Sequence, residues 1–178
     1  MSPEASPRSE HAREREVPLR EARLHLADAD ATLAAGRRLG SVLQPGAIVT
    51  LSGALGAGKT TLVRGVLRAL GWSGAVKSPT YTLVEHYTTS RLYFYHFDFY
   101  RLEYPDEWET TGFAEYFSSA AACVVEWPER VADYLPRADL ALWLAYPEDD
   151  PEHGRELVLR AYSAAGEQCL NAIAAAGA

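Results

Sequence analysis

Several things are scarce in this chain of 178 residues, and each scarcity excludes something. There are only two cysteines, Cys123 and Cys169, far apart and in no C-x-x-C or similar metal-ligand spacing. Cys123 lies in an apolar run and reads as a core thiol, since free cysteine is among the most buried residue types. Basic charge is in deficit. Lys and Arg number 17 against 24 Asp and Glu, a formal charge of −7, which argues against a protein that grips nucleic acid with its whole surface. A local basic patch or a partner protein could still bring it to RNA. No run of about 18 apolar residues is present, so no membrane span is expected. The charged N-terminus lacks the apolar stretch of a secretory signal, and a cytoplasmic location is the expectation.

What is present suits one domain, and a hydrophobic content of 48% is ample for a single core. Residues 1–20, rich in Pro, Ser, Glu and Arg, read as a disordered extension. Residues 21–163 form the expected domain, and 164–178 an Ala-rich tail that forms a loose helix or frays. Asp28 or Asp30 is placed to cap a helix with Leu33, Leu39, Val42 and Leu43 near one face, ended by Pro45-Gly46. "AIVTLSG" has the β-branched character of a strand covered on both sides. "KTTLVRGVLRAL" reads as a helix closed by Gly71. "TYTLVEHYTT" and "RLYFYHFDFY" read as a hairpin, 105–116 as a polar helical segment, and "AACVVEW" as a buried strand followed by a turn or helix at "PERVADYL". "DLALWLAY" and "RELVLRAY" make a final strand pair. The fold class expected is α/β: a mixed, mainly parallel sheet flanked by helices, with a β-hairpin insertion.

The Gly-rich loop between the first buried strand and its helix matches G-x-x-x-x-G-K-[ST] at every fixed position, from Gly53 to Thr60, with Thr61 following. Gly53, Gly56 and Gly58 permit backbone conformations closed to residues with a Cβ, so that successive N–H groups, including those flanking Ala57, can turn toward phosphate oxygens. The helix N-terminus near Lys59 adds its positive dipole end. Lys59 supplies charge for the β- and γ-phosphates and Thr60 a hydroxyl for Mg²⁺. The chain is thereby expected to be a P-loop protein that binds a nucleoside triphosphate.

Such a site needs acids near the end of a neighbouring strand. Asp98 and Glu126 each end an apolar run, where an unpaired carboxylate is costly. A divalent cation at the shared sheet edge would account for both; the plainer alternative is that each emerges into solvent where its strand stops. "VKSPTYTLVE" presents Thr80, Tyr81 and Thr82 either as hydroxyls of a phosphate-sensing loop or as an ordinary strand lead-in chosen for β propensity. There is no N-K-x-D guanine motif, since Asn171 is the only Asn, and no L-S-G-G-Q signature. An Arg-rich lid of the small-molecule kinase kind is also absent. A minimal ATPase remains.

"GALGAGKTTLVRG", "VKSPTYTLVEHY", "YHFDFYRL" and "VVEWPER", in this order and spacing, resemble the TsaE (YjeE) family over roughly residues 25–162. The resemblance implies an ATPase subunit required for threonylcarbamoyladenosine modification of tRNA beside the anticodon. It implies ATP and Mg²⁺ as cofactors, TsaD and TsaB homologues as partners, and tRNA met indirectly through that complex. By the same resemblance Thr60 and Glu126 bind Mg²⁺, and Asp98 acts on the metal or the hydrolytic water. Ser78, Thr80 and Thr82 lie in a switch loop, and Trp127 stands near the site. Ala29 to Thr32 and Gly154-Arg155 match places of nucleotide contact. Position 54 is Ala where the family usually has Asp; the backbone cradle does not need that side chain, but any contact made by the acid is lost. Two rival functions are a non-catalytic nucleotide-gated binding module and a small-molecule P-loop kinase.

Overall fold

A computed structural model describes residues 17–117 and 120–175. The order of elements is β1 (Arg20–Leu26), α1 (Ala29–Val42), β2 (Ile48–Gly53), α2 (Lys59–Ala69), β3 (Val84–Thr88), β4 (Tyr93–Asp98), α3 (Glu107–Thr111), β5 (Ala121–Glu126), β6 (Leu140–Ala145), β7 (Arg155–Ala161) and α4 (Ala164–Ala174). Short 3₁₀ turns cover Phe113–Tyr116 and Pro128–Val131.

All seven strands form one sheet in the order β1-β7-β6-β2-β5-β4-β3. The central strands β6, β2, β5 and β4 run parallel, while β1–β7, β6–β7 and β3–β4 pair antiparallel. This is the mixed α/β sheet with a β-hairpin that the sequence predicts. The parallel centre follows from strands buried on both faces: every residue of β5 is buried. One face packs on α1, α2 and α4 through Leu39, Val49, Leu51, Leu62, Phe94, Val124 and Leu142. The other, over β4 and β5, carries an aromatic cluster of Phe97, Phe99, Trp108 and Phe113. Burying each such side chain is worth about 1.5–3 kcal/mol, so these two layers hold the sheet edge where the candidate site lies.

Asp28 is the cap of α1, its Oδ1 accepting from the Ala31 N–H at 2.8 Å. α1 and α2 approach backbone to backbone. A Cβ on Gly36 would stand 2.0 Å from the Leu62 carbonyl oxygen, and one on Gly65 2.2 Å from that of Leu33. No larger residue fits there without moving a helix.

Three expectations are corrected. The domain begins before residue 21: the Leu19 N–H reaches the Ala161 oxygen at 2.8 Å, and β1 follows with its apolar residues at alternate positions 22, 24 and 26. Of the extension expected at 1–20, residues 1–16 lie outside the described residues. Residues 164–174 are no loose tail. Ser163 caps α4, and Cys169, Leu170 and Ile173 are buried in the same core as β6 and β7. The first hairpin strand is shorter than its β-rich composition suggests, because Leu83 takes a left-handed φ of 63° that breaks the extended run before Val84.

Candidate functional site

The site is built at the C-terminal ends of β2, β4 and β5. Between β2 and α2 the loop turns on Gly53 (φ 138°), Gly56 (φ 77°) and Gly58 (φ 109°), all in the left-handed region that glycine tolerates. Lys59 opens α2 and curls back over the loop, its Nζ donating to the Gly53 oxygen at 2.7 Å and the Ala54 oxygen at 2.9 Å. The ammonium also lies 4.3 Å from the centre of the Trp127 ring. Burial pushes the Lys59 pKa below its ordinary value, against the opposing charges of Glu126, Asp98 and Glu129. It is the cation that a desolvated phosphate site calls for.

The two acids converge. β4 and β5 are parallel, and Asp98 and Glu126 are direct register partners. They are 3% and 2% exposed. A strand alternates sides with a period of two, so Asp98 and Glu126 lie on the α2 side of the sheet and Phe97 and Val125 on the aromatic side. Both oxygens of Asp98 are engaged. Oδ1 accepts from the Tyr100 N–H at 2.9 Å, and Oδ2 from the Ser78 hydroxyl. Glu126 Oε1 accepts from the Thr60 hydroxyl at 3.0 Å and meets His96 Nε2 at 2.9 Å. Trp127 follows with a left-handed φ of 56°, a strained turn that lays its indole beside Lys59.

These groups wall a cavity of about 500 Å³. Of the residues singled out from sequence, Gly56, Gly58, Lys59, Thr60, Thr61, Ser78, Thr80, Asp98, Glu126 and Trp127 line it, joined by Leu55, Tyr100 and Arg101. Ser78 and Thr80 hydroxyls lie 3.4 Å apart. Arg101 stands over the ring of Tyr81 at 4.8 Å, bridging the cavity mouth to the 76–83 segment.

Other expected site residues are placed elsewhere. Thr82 turns to Glu85. Thr32 and Arg155 pack against the loop, and Gly154 precedes Arg155 at the start of β7. The Thr32 methyl is 3.5 Å from where a Gly58 Cβ would stand. Arg155 Nε donates to the Ala57 oxygen at 3.1 Å, its guanidinium packing on the Tyr146 ring at 4.2 Å, while Tyr146 Oη donates to the Leu55 oxygen at 3.4 Å. Arg155 and Tyr146 thus tie the Ala57 and Leu55 carbonyls of the loop. Sequence reasoning missed Tyr146, which carries no motif. It also missed His96, for which a signal existed: it stands two residues before Asp98 on the same strand and so on the same face.

The donor set suits a hard divalent cation. Glu126 and Asp98 offer carboxylate and Thr60 a hydroxyl, and Mg²⁺ is commonly held by one or two carboxylates together with substrate phosphates. Among the described residues no group of three or more His, Cys, Asp and Glu side chains could hold an ion by itself. An ion here would therefore need phosphate oxygens and water to complete its shell.

The family model described as threonylcarbamoyl adenosine biosynthesis protein TsaE matches residues 26–157. A Haemophilus influenzae protein named tRNA threonylcarbamoyladenosine biosynthesis protein TsaE is 44% identical over 125 residues, covering 70% of this chain and 77% of that relative. A Bacillus subtilis protein of the same name is 39% identical over 119 residues, covering 67% and 74%. Among solved structures, the crystal structure of Bacillus subtilis YdiB superposes with a TM-score of 0.74 at 27% identity, covering 89% of this chain and 97% of that one.

Proposed function

The chain belongs to the TsaE family, and from that premise we propose that it is the ATPase subunit of tRNA threonylcarbamoyladenosine synthesis, acting with Mg²⁺ and with TsaB and TsaD homologues as partners. The observation that carries the reading is the register pairing of Asp98 with Glu126 beside Lys59 and Thr60, in one cavity under a glycine-built phosphate loop.

The loop N–H groups and the start of α2 receive the phosphates. Lys59 exchanges its two loop carbonyls for phosphate oxygens, and its lowered pKa reflects the desolvation that makes this charge effective. Thr60 and Glu126, with Asp98, would hold Mg²⁺, which when bound neutralises charge on the phosphate oxygens. Asp98 orients the attacking water or takes its proton, and the Ser78 hydroxyl fixes the carboxylate's direction. Because Ser78 and Thr80 belong to the segment leading into the hairpin, arrival or loss of the γ-phosphate is felt there. Hydrolysis would then reset the partner complex between cycles, without supplying the transferred group. The protein works in the cytoplasm and meets tRNA only through its partners. The chain's charge of −7 supports that division of labour.

The test is phosphate release from ATP, with and without TsaB and TsaD homologues, for the wild type, Asp98→Ala and Glu126→Ala. Partner-stimulated release is expected in the wild type and loss of it in both variants, with their circular dichroism unchanged. Equal turnover with and without partners would reject the coupling. Undiminished turnover in both variants would reject the site. ADP formation that depends on an added hydroxyl acceptor would favour a small-molecule kinase, and ATP binding without turnover in the full complex a nucleotide-gated module.

A further inference from the structure

The site leaves one buried group without a role. His96 is 0% exposed in the middle of β4, between Tyr95 and Phe97 in sequence, and its Nδ1 has no hydrogen-bond partner among the described residues. An imidazole with one nitrogen orphaned in the core is a poor filler. A phenyl ring would occupy nearly the same volume with no unpaired nitrogen, and neighbouring positions 94 and 97 show that this strand accommodates phenylalanine on either face. What the imidazole adds is its other nitrogen. Nε2 lies 2.9 Å from Glu126 Oε1.

We propose that His96 is a positioning residue that aims the Glu126 carboxylate at the metal; this rests on the reading of Glu126 as a metal-binding acid. With its proton on Nε2, His96 donates to Oε1, since a carboxylate oxygen accepts. The same oxygen accepts from the Thr60 hydroxyl at 3.0 Å. Two donors on Oε1 fix the rotation of the carboxylate and direct Oε2 to the cavity. They also fix the Thr60 proton, which points at Glu126 and leaves the hydroxyl lone pairs for a cation. His96 is well placed to do this because it pairs with Val124, so on the same sheet face it sits diagonally behind Glu126 rather than beside it. The rigid strand and close packing leave the ring little freedom, and the donor is therefore preorganised. Groups that orient metal ligands in this way change metal affinity by about 10- to 100-fold when removed.

The experiment uses the full chain with ADP and Mn²⁺, the free ion being followed by electron paramagnetic resonance. His96→Phe removes the donor at similar volume, and His96→Gln retains an N–H at a similar reach. Expected is a loss of Mn²⁺ affinity of about tenfold or more in His96→Phe, with ADP affinity in the absence of metal unchanged and affinity substantially restored in His96→Gln. Mn²⁺ affinity unchanged in His96→Phe would overturn the proposal, whatever happens to thermal stability. A loss of equal size in His96→Gln would do the same by pointing to packing alone. Glu126→Gln is measured alongside. If it weakens Mn²⁺ while His96→Phe does not, only this inference falls; if Glu126→Gln has no effect, the metal reading of Glu126 falls with it.

Discussion

Two walls of the same cavity are held in different ways. The phosphate loop is tied from both sides: Lys59 binds the Gly53 and Ala54 oxygens within, and Tyr146 and Arg155 bind the Leu55 and Ala57 oxygens from behind. Facing it, residues 76–83 meet the site through one backbone bond, from the Asp98 N–H to the Leu83 oxygen at 3.0 Å, and through side chains, Ser78 on Asp98 and Tyr81 under Arg101, and Tyr81 is 84% exposed. A wall that must recognise phosphate is best preorganised, since ordering it at the moment of binding would subtract from affinity. If the facing wall reports the γ-phosphate, as proposed, it has to keep a second arrangement within reach, which few and exchangeable ties allow.

The comparison can be broken most sharply at Lys59. Lys59→Ala should weaken ATP binding by about a hundredfold or more, because a desolvated charge partner is lost; calorimetry measures it, and a change under threefold would deny the loop its role. Ser78→Ala is expected to act on the other quantity. ATP affinity stays within about threefold, while turnover in the partner complex falls by about tenfold, the scale of one hydrogen bond to a charged group. If affinity and turnover fell together, the two walls would not be distinct in function.

Gly36→Ala tests whether the braced wall depends on the helix pair beneath it. The added methyl forces α1 off α2, costing about 1–3 kcal/mol. The melting temperature should drop by several degrees. Arg155→Ala removes one brace and should cost ATP affinity about 1 kcal/mol, with turnover at saturation little changed.

The last expected effect is on pH dependence. Burial pushes the Cys123 thiol up to about 12 and Cys169 up to about 11, from an ordinary value of 9.0. Above about pH 9 the unfolded chain releases these protons while the folded chain keeps them. Their contribution to stability is therefore complete below pH 9 and declines as pH rises through 9 toward 11–12. Urea midpoints at pH 8 and 10.5 should show the decline, and Cys123→Ala with Cys169→Ala should flatten it.

The loop and both acids were readable because each carries a local signature: glycines at fixed spacing before a lysine, and carboxylates ending apolar runs. The braces were not, because Tyr146 and Arg155 owe their role to β6–β7 packing that brings residues about 90 positions away in the chain against the loop carbonyls. α4 was undervalued because alanine-rich composition reports little about burial, whereas Leu170 and Ile173 lie wholly in the core.

By itself, then, the chain determined six of its seven strands, its first two helices and the chemical groups of its cavity, since periodicity, capping and turn residues act over a few bonds. Tertiary structure alone decided that Asp98 and Glu126 stand side by side, that His96 reaches Glu126 and that the loop is braced from behind. Those outcomes depend on strand order and register, which are set by how whole faces bury one another rather than by any short segment.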